Sequence, residues 1–237
     1  MKKIPFVITL TAVFCGFALG QNLTARASAK GASRAGSQIS LSAPHACSVS
    51  KRHPCVYYAG DLDANNPNGF SNENTLLISD SWTYNEIKSP IAARVSAAFT
   101  NNLQTFDLID PRTANWDFRV GVTNNGCGTS VGSGTNPALL TPTGRSAFGY
   151  TEYELLTTSP LSVPKGNVWF DVQPNCTNPS DGECSSGRYF LSDTNGLNSI
   201  NGQFTQTSEN GIGPISRIGG TCSTLNSSDG MSAGLLK

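Results

Sequence analysis

The sequence predicts an all-β fold: a single β-sandwich or jelly-roll-like domain with long polar loops, stapled by disulfides. Three observations carry that expectation. Short runs of alternating apolar and polar residues are separated by turn residues. No segment carries a long helical stripe with caps. Six cysteines follow a signal-like N-terminus, an even count that reads as a disulfide framework in an exported chain.

Residues 1–20 read as a signal peptide. Lys2 and Lys3 form a basic start, Ile4 to Leu19 is mostly apolar, and Ala18-Leu19-Gly20 is a small-x-small cleavage site before Gln21. The apolar run is short for a membrane span of ~20 residues. Phe14 is too large for lipoprotein processing at Cys15. No second apolar stretch follows, so no membrane span is expected in the mature chain. Residues 21–44, rich in Ser, Ala and Gly without apolar period, read as a flexible leader. The folded domain is assigned to residues 45–237, a length with enough chain for a real core. Loss of Lys2 and Lys3 leaves 14 basic and 16 acidic residues, a net charge of −2. That balance gives no electrostatic case for nucleic acid or an anionic membrane.

The clearest strand is Trp116 to Val122. Trp116, Phe118, Val120 and Val122 share one face, and Asp117 and Arg119 the other. Arg94 to Phe99 alternates likewise, with Val95, Ala97 and Phe99 together. Tyr150 to Thr157 and Val168 to Gln173 are further strands, and Leu76-Leu77-Ile78 reads as a buried one. Asn124-Asn125-Gly126 and Pro164-Lys165-Gly166-Asn167 are turns.

Cys47 and Cys55 are eight apart, and so are Cys176 and Cys184; Cys127 and Cys222 remain. Proximity favours these three pairs among fifteen connectivities. In the chain-entropy account each bridge contributes ~2–4 kcal/mol, the long loop most.

The sharpest polar cluster runs from Asp61 to Glu73. Asp61, Asp63 and Asn65 alternate, so three side-chain oxygens can aim at one point, and Glu73 could close the site. Such a loop is a candidate structural calcium site. It departs from the EF-hand pattern at Asn66 and Asn72, and its alternative is an Asx-rich surface turn. His45, Cys47, His53 and Cys55 resemble a zinc set, but thiols outside the cell tend to oxidise. The chain has no other histidine and no G-x-S-x-G elbow, which argues against a serine hydrolase. Glu152 and Glu154 share a face of one predicted strand; paired carboxylates can serve glycoside hydrolysis, though a solvated strand face is the expectation. Trp82, Tyr84, Trp116, Tyr150, Tyr153 and Trp169 are expected mainly in the core, with a sugar-stacking platform as the alternative. Arg145 and Arg188 each follow a glycine, in similar settings with no assigned role.

Gly60-Asp61-Leu62-Asp63-Ala64-Asn65-Asn66-Pro67-Asn68, Phe99-Thr100-Asn101-Asn102-Leu103, Trp116 to Val122, Thr143-Gly144-Arg145-Ser146 and Asn195-Gly196-Leu197-Asn198-Ser199 occur in that order. Together they resemble a group of uncharacterised exported β-sandwich proteins common in soil bacteria of the acidobacterial type. The resemblance covers roughly Tyr57 to Asn201. It implies export and a sandwich, and brings no activity or catalytic residue. Some members carry a C-terminal anchor segment; here Leu235-Leu236-Lys237 ends the sequence without an apolar span.

The expected function is a secreted, non-catalytic protein with a structural, adhesive or ligand-binding role at the cell surface or in the extracellular matrix. The sequence assigns no partner; an extracellular glycan or matrix component is the candidate. The alternatives are a carbohydrate-binding module and an extracellular polysaccharide hydrolase. An exposed, coplanar aromatic row would favour the first, and a cleft with two carboxylates ~5–10 Å apart the second.

Overall fold

The structure is a computed structural model that describes Cys47 and residues 55–104, 113–178, 183–207, 212–225 and 230–237. The signal peptide, the leader, Cys15, His45 and His53 lie outside the described residues.

The first strands are β1 Cys55–Tyr58, β2 Gly69–Ser71, β3 Asn74–Thr75, β4 Ser81–Ser89, β5 Ala93–Gln104 and β6 Thr113–Val120. The long β7 Thr129–Ala147, β8 Tyr150–Val163 and β9 Gly166–Cys176 follow, then the one-turn helix α1 Glu183–Ser186. The tail holds β10 Tyr189–Thr194, β11 Ile200–Asn201, β12 Thr205–Gln206, β13 Ile215–Ile218, β14 Thr221–Thr224, β15 Gly230–Met231 and β16 Ala233–Leu236. The fold is all-β and almost entirely antiparallel; β3 with β9 is parallel.

The sheet is continuous and curled. Its order is β11-β1-β16-β5-β8-β7-β6-β9-β4-β13-β14, and β10 joins β5, β2 and β15. β7 makes the bend: Thr129–Pro137 pairs with β6, and Ala138–Ala147 pairs with β8. The two limbs on either side of β7 therefore face each other. Ala98, Leu155, Val163 and Leu235 come from one limb, and Ile87, Phe118, Val168 and Phe170 from the other, in one buried cluster. Tyr57 meets Phe170 edge-on at 6.2 Å, and the Phe118 and Phe170 rings stack at 5.6 Å. The Thr100 hydroxyl donates across the gap to the Val172 carbonyl at 2.7 Å.

The alternation expected in Trp116 to Val122 holds only as far as Val120. Trp116 and Phe118 enter the central core with Val120 packed against them. Gly121 then takes φ +66°, the left-handed region that favours glycine, and breaks the alternation. Val122 is buried instead with Trp82, Tyr84 and Trp169 in a second cluster. The face expected in solvent is also covered: Asp117 is 4% exposed. Leu76-Leu77-Ile78 is not a strand. The Leu77 and Ile78 amides donate to the Thr75 hydroxyl, which closes a turn, and Leu76 and Leu77 are exposed.

Cys47–Cys55, Cys127–Cys222 and Cys176–Cys184 are the pairs at disulfide distance, with Cα separations of 5.1, 5.2 and 5.5 Å. Cys127–Cys222 links the loop after β6 to β14.

Phe118 is fully buried between Trp116 and Phe170. Phe118→Ala should cost ~3–5 kcal/mol of unfolding free energy by opening a cavity. Leu139→Ala, at a site 60% exposed, should stay within about 0.5 kcal/mol. Denaturant titration checks both, and equal losses would contradict this packing.

Candidate functional site

The Asp61–Glu73 segment does not gather its carboxylates. Asp61 is fully buried and accepts from Tyr58 Oη at 2.7 Å, Asn198 Nδ2 at 2.8 Å and Arg145 Nη1 at 2.8 Å. Asp63 Oδ1 accepts from the Asn65 amide at 2.9 Å, an Asx turn that leaves Asn65 exposed. Glu73 is tied elsewhere, to Ser71 Oγ at 2.9 Å and Arg188 Nε at 2.8 Å. Among the described residues, no three His, Cys, Asp or Glu side chains converge as a metal-ligating group. A calcium ion held by Asp61, Asp63, Asn65 and Glu73 together would require both arginine pairs to break.

Arg145 is the centre of a buried knot. Its Nε donates to Glu152 Oε2 while Nη1 reaches Asp61, and the guanidinium is only 2% exposed. Thr143 Oγ1 donates to the same Glu152 oxygen at 2.8 Å. Tyr58 and Ser232 accept from Asn101 Nδ2 at 3.2 and 2.8 Å. Burial works against the Arg145 charge, but Glu152, Tyr58 and Asp61 outweigh it and hold the guanidinium more firmly charged than usual. Burial pushes the Tyr58 phenol well above its ordinary value. The solvated face expected for Glu152 and Glu154 is therefore absent: they are 0% and 2% exposed, and Glu152 is enclosed with Arg145, Thr143 and, through Arg145, Asp61.

The other limb carries an accessible site on its outer face. β4 places Trp82 and Tyr84 there, β6 places Asn115, Asp117 and Arg119, and β13 places Arg217 opposite Trp82. The Trp82 and Tyr84 rings stack at 5.7 Å and 16°. Arg217 lies 6.0 Å above the Trp82 ring, and Arg119 6.0 Å from that of Tyr84. Asp80 takes φ 53°, and from that left-handed position its Oδ1 accepts Trp82 Nε1 at 2.7 Å and its Oδ2 meets Arg217 Nη2 at 3.3 Å. Asp117 Oδ2 accepts from Tyr84 Oη at 2.8 Å and Arg119 Nη1 at 2.6 Å, and its Oδ1 from Ser130 Oγ at 2.5 Å. Asn115 accepts from Thr135 Oγ1 at 2.7 Å and donates to Gln173 at 2.9 Å. Asp80, Trp82, Asn115, Asp117, Arg119 and Arg217 line a groove of about 370 Å³, edged by Ser130, Ser133 and Thr135 of β7, while Tyr84 and Gln173 are fully buried.

Sequence reasoning counted Trp82 and Tyr84 among the aromatics but missed Asp80, Asn115 and Arg217. The alternation of Trp82, Tyr84 and Glu86 was the available signal for the strand. Nothing local announces Arg217, which reaches the groove only through pairing of β13 with β4.

Beside the groove, Asp117 stands opposite Asp171 across β6 and β9. Asp171 is fully buried and accepts from the Thr83 amide at 3.2 Å and Asn72 Nδ2 at 3.1 Å. Burial raises its carboxyl well above the ordinary range despite these donors, and Asp117 adds to the rise. Burial likewise raises Glu73, against the pull of Arg188.

A raised folded-state value means that the folded protein binds the proton more tightly than the unfolded chain. Stability from Asp171 is then full below an ordinary aspartate value of about 4 and is lost as pH climbs toward the raised one. Thermal unfolding across pH should show a falling midpoint in that window. Asp171→Asn should flatten the dependence, by at most about 1.4 kcal/mol per pH unit for one proton. An unaltered slope in the variant would contradict it. Arg145→Ala, which strands Asp61 and Glu152, should cost about 3–5 kcal/mol in denaturant unfolding.

No protein-family model matches this chain, and no curated protein or solved structure matches it either. The reading of the site rests on its own geometry.

Proposed function

We propose that this is a secreted, non-catalytic binding protein of the cell surface or extracellular matrix, and that the groove beside Trp82 and Arg217 is its ligand seat. The observation that carries the reading is the groove itself: a partly exposed arginine over a tryptophan, facing polar strand residues, in a volume typical of small-ligand sites, about 300–1,000 Å³. Three cysteine pairs at disulfide distance accord with an oxidising compartment. Among the described residues no helix is long and apolar enough to cross a membrane.

The hydrolase alternative has one observation in its favour, two carboxylates, Asp80 and Asp117, in one groove. Each is bound to an arginine and to a further side-chain donor. That engagement supports binding over proton transfer, since a general acid or base must reach the scissile bond.

The mature protein should co-sediment with extracellular matrix material from its producing culture and release no new reducing ends from it. Ser133→Trp, which fills the groove from an exposed position, should abolish co-sedimentation without altering the unfolding midpoint. Adhesion that survives this change would remove the groove from the function, and new reducing ends would favour the hydrolase.

A further inference from the structure

We infer that the groove takes a neutral, polyhydroxylated ligand, one or two sugar rings within an uncharged glycan chain. The inference rests on the reading of the groove as the ligand seat. It comes from the charge and hydrogen-bond pattern of the lining.

The four charged side chains of the groove are two aspartates and two arginines, and each aspartate is already paired with one arginine. No charge is left over to select an ion. A phosphate, sulfate or uronate offers mainly acceptors and would meet Asp80 and Asp117. An ammonium offers only donors and would meet Arg119 and Arg217. Either would disturb an existing pair and leave a charge poorly compensated. A hydroxyl both donates and accepts, so a sugar can satisfy an alternating lining. Arg217 supplies N–H donors, Asp80 a half-exposed carboxylate, Ser133 a hydroxyl that does both, and Thr135, whose proton goes to Asn115, a hydroxyl that accepts.

Trp82 is 8% exposed, so it is not a free stacking platform. Its ring lies below the Arg217 guanidinium at 6.0 Å, and its own N–H fixes Asp80, the carboxylate that meets Arg217. The left-handed backbone at Asp80 is a local cost that aims this carboxylate into the groove. The volume of about 370 Å³ suits a small unit of a larger molecule, and the exposed β7 edge lets a chain run past.

The test is isothermal titration of the mature, oxidised protein with uncharged oligosaccharides of several linkages, beside uronate-containing and sulfated ones, at low and high salt. At least one neutral oligosaccharide should bind, with affinity insensitive to salt. Arg217→Met and Ser133→Trp should weaken it by roughly tenfold or more. Circular dichroism and an unchanged unfolding midpoint for Ser133→Trp establish that the variant is folded. Binding only of charged oligosaccharides, with steep salt dependence, would overturn the inference. So would neutral binding that ignores Ser133→Trp. If no oligosaccharide binds while matrix adhesion still depends on Ser133, the sugar class is wrong and the groove remains the seat. If matrix adhesion is also independent of Ser133, both readings fall together.

Discussion

The hydrogen-bond ladder along β7 is the constraint on which the rest depends. One strand of nineteen residues gives its first half to β6 and its second half to β8. A sheet that continuous can close on a core only by curling, and the twist of strands supplies the curl. Close approach at the seam depends on small residues. A Cβ at Gly134 would stand 3.0 Å from Trp116 Nε1, and one at Gly132 would stand 2.6 Å from Leu161 Cδ1. The same strand then serves both polar sites. Its first half edges the groove with Ser130, Ser133 and Thr135, and its second half brings Thr143 and Arg145 to Glu152.

The faces away from the central core are not simply solvated. On one limb, the Arg145 knot joins the segment after β1 to β7, β8 and the residue before β16. On the other, Asp117, Arg119, Tyr84 and Ser130 form a second compensated cluster. Buried charge of this kind is a weak source of net stability, because desolvation offsets much of the attraction. Its stronger effect is on alternatives. A one-residue slip would strand carboxylates without donors, so the polar clusters penalise wrong registers that apolar packing alone would tolerate.

The two clusters differ in what they leave for function. Around Arg145 the donors and acceptors face one another behind a cover of loops. Around Arg217 the pair with Asp80 is looser, at 3.3 Å, and both side chains keep contact with solvent, 22% and 44% exposed. Exposed pairs contribute little to folding, about 0–1 kcal/mol. An arginine over a tryptophan, in one loose contact with a carboxylate rather than in a tight fork, keeps part of its guanidinium open to a ligand in the groove. That contrast is the physical basis for placing the ligand at the groove.

By itself the sequence determined the fold class, since alternation such as that of Arg94 to Phe99 and Trp116 to Val120 is local and β5 and β6 express it directly. The spacing of cysteines also pointed to the pairs that stand at disulfide distance, because short loops limit their partners. It did not reveal β7, whose Gly, Ser, Thr and Asn residues carry no apolar period and gain their conformation from β6 and β8. Tertiary structure alone decided the fate of the charges. Asp61 and Glu73 look like neighbours in one loop, yet Arg145 and Arg188, distant in sequence, draw them apart. Arg217 and Asp80 look unrelated, yet the pairing of β13 with β4 brings them together over Trp82. Alternation is written into neighbouring residues, whereas the partner of a charge is whatever the completed sheet places within a few ångströms of it.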